Sequence, residues 1–173
     1  VNVDLTVDIS LNLRTSLLER KLDLAFLMGP VSEFSVENVP LPSFDLHWYR
    51  SVSNAQTDLS VVPVISYARM TRPYRELMSE LSRRIGPSVR VFASASLSAS
   101  LKMIAAGIAV GPYPRALARD FLKSEQIVEF DAGFRPQPLQ FTASYLSEPR
   151  SFLVENSAEI AQSVALNWDK SQP

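Results

Sequence analysis

Apolar and polar residues alternate at the start of the chain and then give way to longer apolar runs and to helical spacing. Residues 1–9 alternate strictly, which predicts a half-buried strand near a sheet edge. Leucines at helical spacing follow Ser10, which is a candidate N-cap. Residues 22–28 are almost wholly apolar, and this predicts a buried strand of the kind found in parallel sheets.

The rest of the chain alternates predicted strands with predicted helices. The clearest helix begins after Thr71 and ends near Ile85, with its apolar residues on one stripe. Another helix is predicted to begin after Ser96 or Ser98 and to end at Gly107, where a left-handed residue would stop it. Further strands are predicted at residues 46–52, 61–67, 89–95, 108–110, 127–130 and 139–146, and further helices begin at residues 114 and 151.

This order of elements predicts an α/β protein with largely parallel sheets. Because the two halves share a β-α-β rhythm, we expect two similar, Rossmann-like lobes. Irregular stretches at residues 53–59 and 131–138 mark the places where the chain would cross between them. We therefore expect lobe I to begin with residues 1–58, lobe II to comprise residues 59–136, and residues 137–173 to return to lobe I with a C-terminal helix.

Composition and charge narrow the function. The 173 residues include 17 Lys and Arg against 18 Asp and Glu, with one His and no Cys. The absence of Cys excludes disulfides, thiolate catalysis and zinc sites of the finger type. The formal net charge of −1 gives no electrostatic footprint for nucleic acid. No apolar run approaches the roughly 20 residues that span a bilayer, so we expect no membrane contact.

Candidate catalytic groups are few, and each has an ordinary explanation. His47 lies in the middle of a predicted strand, whereas catalytic groups of α/β enzymes gather at the carboxyl ends of strands. Asp4 and Asp8 belong to the polar face of the first segment, which indicates solvated carboxylates. Gly107 and Gly111 flank a helix-to-strand turn and do not form a dinucleotide fingerprint. We expect no catalytic residue, no metal site and no cofactor.

Polar strand-to-helix junctions are the more informative feature. Three of them recur, at Ser10, at residues 66–71 and at residues 93–96. Helix N-termini offer free N–H groups to carboxylates, and ligands of open α/β sheets lie outside the carboxyl ends of strands. Each hydroxyl taken alone is better explained as an N-cap, but three of them together predict a shared ligand cleft. Arg69 and Arg72 lie in the same loop, either reaching a ligand anion or simply solvated.

Three sequence segments are each weak signals when taken alone. Their order and spacing together are more specific. Residues 10–26 combine a small-residue cap, a Leu-rich helix and the sequence Leu-Asp-Leu-Ala. Residues 96–114 combine an aliphatic helix with Ala-Gly-Ile-Ala-Val-Gly-Pro-Tyr-Pro. A strand at residues 46–51 is followed at the expected distance by the strand containing Pro63. With these segments, over nearly its whole length, the chain resembles the effector-binding domain of LysR-type transcriptional regulators.

The resemblance implies a periplasmic-binding-protein type II architecture in which the first strand and helix of lobe I would precede Val1. It also implies a cytoplasmic regulator that reaches DNA only through an N-terminal domain outside this chain. The effector would be a small molecule, which we expect to be an organic anion, lying between the lobes. By resemblance the ligand-binding positions are Ser10, Ser66, Tyr67, Ala68, Arg69, Ser94, Ser96, Pro112 and Tyr113.

Open edges predict self-association. The predicted strands at residues 1–9 and 89–95, together with the helix at residues 71–85, would be uncovered in a monomer. The resembled family pairs two such domains, so we expect a homodimer or a tetramer. A periplasmic solute-binding protein of the same architecture is the alternative function, and a two-lobed enzyme is the third.

Overall fold

The computed structural model of the chain describes residues 2–170. It divides the chain into two compact units. Unit 1 comprises the residues up to Ser43 together with those from Gln140 onward, and unit 2 comprises Phe44–Leu139. The first crossing between the units therefore comes at residues 43 and 44, whereas the sequence pattern put it near residue 58.

The described residues form five helices and eight strands. In chain order they are α1 (Ser10–Leu18), β1 (Ala25–Met28), β2 (Val36–Pro40), β3 (Leu46–Ser51), β4 (Val64–Ser66), α2 (Arg72–Arg84), β5 (Val91–Ala93), α3 (Leu97–Ala105), β6 (Gly111–Pro114), α4 (Arg115–Lys123), β7 (Ile127–Glu129), β8 (Phe141–Leu146) and α5 (Phe152–Lys170).

Unit 1 is built on a three-stranded sheet in the order β1-β8-β2. Both outer strands run antiparallel to β8. The expectation that β1 belongs to a parallel pair is therefore wrong for the described residues, because its neighbour β8 returns from the far end of the chain. The helices α1 and α5 pack on this sheet. The core of unit 1 gathers Leu17, Ala25, Leu27, Val31 and Val36.

The predicted strand at residues 1–9 is not present among the described residues, which begin at residue 2. Residues 2–9 are irregular, and Val3, Leu5 and Val7 are 85%, 82% and 88% exposed. An alternating pattern makes a strand only when a second backbone pairs with it. No described strand lies against this segment, so its apolar side chains remain in solvent.

The start of α1 also differs from the expected capping. Ile9, not Ser10, occupies the N-cap position, and Ser10 is the first helical residue. The Ser10 hydroxyl instead accepts a hydrogen bond from the N–H of Met28, at 3.0 Å. The side chain of Asp8 accepts from the N–H of Ile9 at 2.7 Å and from the amide of Asn12 at 2.9 Å. Ser10 therefore joins α1 to the carboxyl end of β1.

The strand β2 was missed because its segment is rich in proline. Asn38, in the middle of β2, fixes the loop that follows β1. Its side-chain oxygen accepts from the N–H of Val31 at 2.9 Å, and its amide donates to the carbonyl of Val31 at 3.1 Å. Ser144 of β8, fully buried, donates to the same side-chain oxygen of Asn38 at 2.9 Å. This polar network is satisfied, as buried polar groups usually are.

Unit 2 combines an antiparallel sheet in the order β6-β3-β7 with the parallel pair β4-β5. A single parallel bridge between Val64 and Val110 joins the two, and the N–H of Ile65 donates to the carbonyl of Val110 at 2.7 Å. One core cluster of unit 2 lies around Trp48 and includes Leu77 and Leu81 of α2. The predicted helix at residues 71–85 and the predicted strand at residues 46–52 are confirmed.

The strand predicted at residues 108–110 lies three residues further on, as β6 (Gly111–Pro114). Two prolines argue against a strand, because proline has no N–H to donate. The structure tolerates them because Pro112 and Pro114 alternate with Gly111 and Tyr113, and all four residues are buried against β3. A side chain at residue 111 would begin 2.5 Å from the carbonyl oxygen of Ile65, so this approach requires glycine.

Three helix ends in unit 2 agree with the sequence pattern to different degrees. The hydroxyl of Ser96 caps α3 by accepting from the N–H of Ala99 at 3.3 Å. Gly107 follows α3 with a positive φ of 71°, as expected of the residue that stops a helix. Thr71 occupies the N-cap position of α2, but its hydroxyl donates to the carbonyl of Ala68 at 2.6 Å and does not cap the helix.

Two searches of the described residues give negative results. No helix within residues 2–170 combines the length and the apolar character that crossing a membrane requires. In the same part of the chain, no three His, Cys, Asp or Glu residues are placed to hold a metal ion.

The packing of Gly29 generates a first prediction. A Cβ atom at residue 29 would overlap the side chain of Thr142 on β8, so Gly29→Ala forces the two strands apart. We expect the free energy of unfolding, measured with urea, to fall by about 1–3 kcal/mol, which is typical of overpacking. Adding Thr142→Ala removes the overlapped hydroxyl and should recover part of this loss. Equal losses for G29A with and without T142A would show that this contact is not the cause.

Candidate functional site

The carboxyl ends of β4 and β5 lie side by side in unit 2. The two strands are parallel, with Ser66 opposite Ala93. The N–H of Ser94 then donates to the carbonyl of Ser66 at 3.1 Å, which continues the pairing one residue past the end of β5. The helix α3 begins directly afterwards, with Ser96 as its N-cap. We call Ser66, Ser94 and Ser96 the serine cluster.

Two hydroxyls of the serine cluster organise the first turn of α3. The hydroxyl of Ser94 accepts from the N–H of Ser96 and donates to the carbonyl of Ser96, both at 3.1 Å. The hydroxyl of Ser96 occupies only one N–H group, that of Ala99. The first turn of any helix carries several N–H groups without partners inside the helix, together with the positive end of the helix dipole. The arrangement therefore favours an anion at this end of α3.

Ser66 is the unusual member of the serine cluster. It is fully buried, and its hydroxyl has no hydrogen-bond partner among the described residues. A buried polar group without a partner costs about 1–3 kcal/mol. An acceptor atom brought to this hydroxyl would recover that free energy.

Two buried tyrosines link the end of β4 to β6 next to the serine cluster. The hydroxyl of Tyr67 donates to the carbonyl of Pro112, and that of Tyr113 donates to the carbonyl of Ile65, both at 3.4 Å. Their ring centroids are 5.3 Å apart, with the planes tilted by 48°. Burial raises the pKa of Tyr113 to about 12 and also raises the pKa of Tyr67. Both hydroxyls are therefore neutral donors at ordinary pH.

The remaining predicted residues of this loop differ in exposure. Ala68 is half-buried, and its carbonyl accepts from both the N–H and the hydroxyl of Thr71. Arg69 is exposed, and its guanidinium donates to the hydroxyl of Tyr74 at 3.1 Å. The same guanidinium lies 5.8 Å from the centroid of the Tyr74 ring. Arg72 pairs with Glu76 of its own helix at 2.6 Å. Arg69 is thus held against α2 but remains accessible.

The sequence-predicted ligand positions divide between the units. Ser66, Ser94 and Ser96 come together with Tyr67, Pro112 and Tyr113 in unit 2. Ser10 belongs to unit 1, where its hydroxyl is engaged by Met28. Pro112 and Tyr113 are fully buried, so neither side chain has surface available to a ligand in this structure.

Ser100 is a member of this region that the sequence reasoning missed. It is fully buried, and its hydroxyl donates to the carbonyl of Ser96 at 3.0 Å. The Ser100 hydroxyl also acts to lower the pKa of Tyr113, against the larger effect of burial. The available signal was the four-residue spacing from Ser96, which places both residues on one face of α3.

A separate polar group lies on β3. His47 meets Glu129 of β7, with 2.6 Å between Nδ1 and Oε1. Tyr49, two residues further along the same strand face, is fully buried, and its hydroxyl has no partner among the described residues. Burial first and the charge of Glu129 second raise the pKa of Tyr49, while the charge of Arg115 opposes them. No general-base arrangement around His47 is evident in these contacts.

Comparison with known protein families gives one match over almost the whole chain. The family model described as LysR substrate binding domain matches residues 1–165. A search of curated protein sequences finds no significant match.

Solved structures with the same fold are numerous. The regulatory domain of HypT from Salmonella typhimurium, bromide-bound, has a TM-score of 0.77 at 16% identity, covering 91% of this chain and 80% of that one. The effector-binding domain of QuiR in complex with shikimate has a TM-score of 0.72 at 13% identity, with coverages of 92% and 79%. Full-length LysG from Corynebacterium glutamicum, with its effector arginine bound, has a TM-score of 0.68 at 16% identity, with coverages of 92% and 57%.

At these identities the similarities establish the fold alone. The chain has the mixed α/β fold of LysR substrate-binding domains, which is the periplasmic-binding-protein type II architecture. It spans a little over half of the full-length regulator LysG, at 57% of that chain.

The buried hydroxyl of Tyr49 generates a prediction about pH. The raised pKa means that the folded chain keeps this proton while the unfolded chain loses it above about pH 10, so stability falls as the pH rises through that range. Phenylalanine has no proton to lose. We expect Tyr49→Phe to match the wild type near pH 8, because the lost hydroxyl had no partner, and to exceed it by up to about 1.4 kcal/mol for each pH unit above 10. Urea unfolding at pH 8, 10 and 11 measures the difference, and a difference that does not change with pH contradicts the prediction.

Proposed function

This chain belongs to the LysR substrate-binding domain family, and on that basis we propose that it is the effector-sensing domain of a LysR-type transcriptional regulator. It binds a small organic anion and catalyses no reaction. Binding shifts the population of two arrangements of the domain, and this change reaches DNA-binding domains that are not part of this chain. The match to a regulator family favours this function over a periplasmic solute-binding protein of the same architecture.

The observation that carries the proposal is the position of Ser66. Its hydroxyl is buried and unpaired at the carboxyl end of β4, and its carbonyl is 3.1 Å from the N–H of Ser94, just before α3 begins. A carboxylate at this point would accept from the Ser66 hydroxyl and from N–H groups of the first turn of α3. Hydrogen bonds to a charged acceptor contribute about 1.5–3 kcal/mol each, so two or three of them support specific binding.

The hydrogen-bond donors of the site indicate that the ligand is an anion. The first turn of α3 supplies N–H groups and the positive end of a helix dipole. Arg69, exposed in the loop after β4, is the nearest basic side chain in sequence to Ser66, and rotation away from Tyr74 would bring it to a second anionic group. Ala68, in the same loop of unit 2, we propose as a contact that fixes the orientation of the ligand.

Access to Ser66 requires local movement. The side chain has no exposed surface, so a ligand reaches its hydroxyl only when the loop at residues 67–71 or the segment at residues 94–96 opens. Both are short segments outside helices and strands, where such opening costs least. Binding that is coupled to loop opening lets a ligand select one arrangement of the domain.

Carboxylate binding gives the central test. We expect calorimetry and thermal-shift measurements with acetate, succinate, benzoate and shikimate to show saturable stabilisation by at least one of them, and none by the neutral analogue benzamide. Ser66→Ala should weaken binding about tenfold, which corresponds to one hydrogen bond to a charged group. Ser82→Ala, on the exposed side of α2, is the matched control and should bind as the wild type does. Equal affinities for S66A, S82A and the wild type would exclude the serine cluster as the site.

The regulator function also includes self-association, and we propose a homodimer. The strand β5 pairs with β4 on one side only among the described strands, and Phe92 in its middle is 39% exposed. An open edge with an apolar side chain is a ready template for pairing with a second copy. The N-terminal segment, expected to share this interface as a strand, is irregular between residues 2 and 9.

A charged residue at the edge tests the dimer. We expect the wild-type chain to have twice the monomer mass in light scattering at micromolar concentration, and Phe92→Lys to shift it to the monomer, because a lysine on an edge strand opposes pairing. Ile108→Lys replaces a residue of similar exposure, 51%, in the turn after α3 and should leave the mass unchanged. A dimer that survives F92K, or a monomeric wild type, contradicts the role of β5.

A further inference from the structure

The segment that leads from the end of β4 into α2 carries an excess of positive charge. Residues 66–76 contain three arginines and one glutamate, which leaves a formal charge of +2, whereas the whole chain carries −1. The glutamate, Glu76, pairs with Arg72 at 2.6 Å. The excess charge therefore belongs to Arg69 and Arg75, which have no carboxylate partner among the described residues.

These two arginines make hydrogen bonds to neutral acceptors only. The guanidinium of Arg69 donates to the hydroxyl of Tyr74 at 3.1 Å, and that of Arg75 donates to the carbonyl of Met70 at 3.3 Å. Both side chains are exposed. Hydrogen bonds between a guanidinium and a carboxylate are roughly twice as strong as those between neutral groups. A carboxylate that reached either arginine would therefore make a stronger contact than the one it replaced.

We propose that the ligand of this site is a dicarboxylate, with one carboxylate bound at Ser66 and the other by Arg69 and Arg75. This inference rests on the proposed function, because it names the class of ligand for the same site. The buried, unpaired hydroxyl of Ser66 places the first carboxylate independently of any charge. Residues 91–101, on the α3 side, contain no charged residue, so a single carboxylate would leave half of the excess charge without a partner.

The spacing between the two binding positions suits one small molecule. Ser66 and Arg69 are three residues apart, so their Cα atoms are separated by at most about 11 Å. The chain also turns between them and α2, because the carbonyl of Ala68 accepts from the N–H of Thr71 at 2.9 Å. A short linear dicarboxylate can therefore reach both positions. Inorganic phosphate cannot, since all of its charge is on one group.

The second carboxylate also helps to admit the first. The loop at residues 67–71 must move before a ligand reaches the buried Ser66 hydroxyl, and the two arginines hold this loop against α2. Arg69 lies in the loop and contacts Tyr74 of α2, whereas Arg75 lies in α2 and contacts Met70 of the loop. A carboxylate that draws both guanidinium groups to itself releases both contacts and favours the open loop.

Succinate, glutarate and adipate are the probes, each compared with its own monoamide by calorimetry at neutral pH and low salt. The monoamide replaces one carboxylate by a neutral group of nearly the same size. We expect at least one diacid to bind about fivefold more tightly than its monoamide, the upper range for an exposed ion pair. This preference should shrink in about 1 M NaCl, where charges are screened within about 3 Å. Inorganic phosphate should bind more weakly than the preferred diacid.

Variants of the two arginines test their role. Arg69→Gln and Arg75→Gln should each bring the ratio of diacid to monoamide affinity close to one, while R69K, which keeps the charge, should retain part of the preference. The ratio cancels any effect on loop opening, which changes both affinities alike. Arg83→Gln is the matched control, because it removes the same charge from α2 about 16 Å along the axis from Arg72, where Arg83 pairs with Glu80. R83Q should keep the wild-type ratio.

Several results would overturn the dicarboxylate. They are equal binding of every diacid and its monoamide, an unchanged ratio in R69Q and R75Q, an equal fall of the ratio in R83Q, or tighter binding of phosphate than of every diacid. Absence of binding by all three diacids also overturns it.

Failure of the proposed function gives a different pattern. If S66A weakens the binding of diacid and monoamide alike but the wild type does not distinguish them, the anion site stands and only the second carboxylate is wrong. If S66A weakens neither, the serine cluster is not the site, and the ratios in R69Q and R75Q still decide whether these arginines hold an anion.

Discussion

The close approach of β6 to β4 at Gly111 is the constraint on which the architecture of unit 2 depends. Because residue 111 has no side chain, the backbone of β6 comes near enough for the N–H of Ile65 to reach the carbonyl of Val110 at 2.7 Å. This contact joins the two-stranded parallel pair, which is too small to be stable alone, to a three-stranded antiparallel sheet. It also sets the depth of Ser66, which follows Ile65 directly and ends β4 inside the protein.

In unit 1, polar side chains rather than a glycine contact hold the backbone where it leaves the sheet. The loop after β1 has to leave the sheet without exposing its backbone groups to an apolar core, and Asn38 satisfies both the N–H and the carbonyl of Val31. Ser144 completes this network from β8. Ser10 accepts from the last N–H of β1. In each unit, therefore, small hydroxyl and amide groups lie at the ends of strands. In α/β proteins, ligands bind at the carboxyl ends of strands, where such groups can donate hydrogen bonds to them.

How far the sequence predicts this structure depends on where the determining contact lies. The helix α2, the strand β3 and the cap of α3 are determined by neighbours within a few residues, and the pattern predicted them. The strand β6 depends on contact with Ile65, far away in sequence, so its prolines misled the pattern. At residues 2–9 the pattern predicted a strand that the structure does not have. An alternating pattern is compatible with a strand, but a strand forms only when another strand pairs with it, and the pattern does not show whether that partner exists.

The candidate site divides in the same way. Ser96 was identifiable because capping is local, and the repeated serines at strand ends drew attention to Ser66 and Ser94. The unpaired state of the Ser66 hydroxyl is a property of everything packed around it, and no pattern along the chain contains that information. Ser100 was passed over because a serine inside a helix usually has no role beyond solvation or a bond to its own backbone. Only its complete burial distinguishes it.

The segment at residues 2–9 has a consequence for how the chain behaves at high concentration. Three exposed aliphatic side chains on an unpaired, irregular backbone form a template to which an identical segment of another molecule can add. Asp4 and Asp8 interrupt the same segment, and like charges brought into register in a stacked assembly repel one another. The two aspartates thus act as gatekeepers against aggregation. Salt screens the repulsion between them, so the chain is best concentrated at low salt.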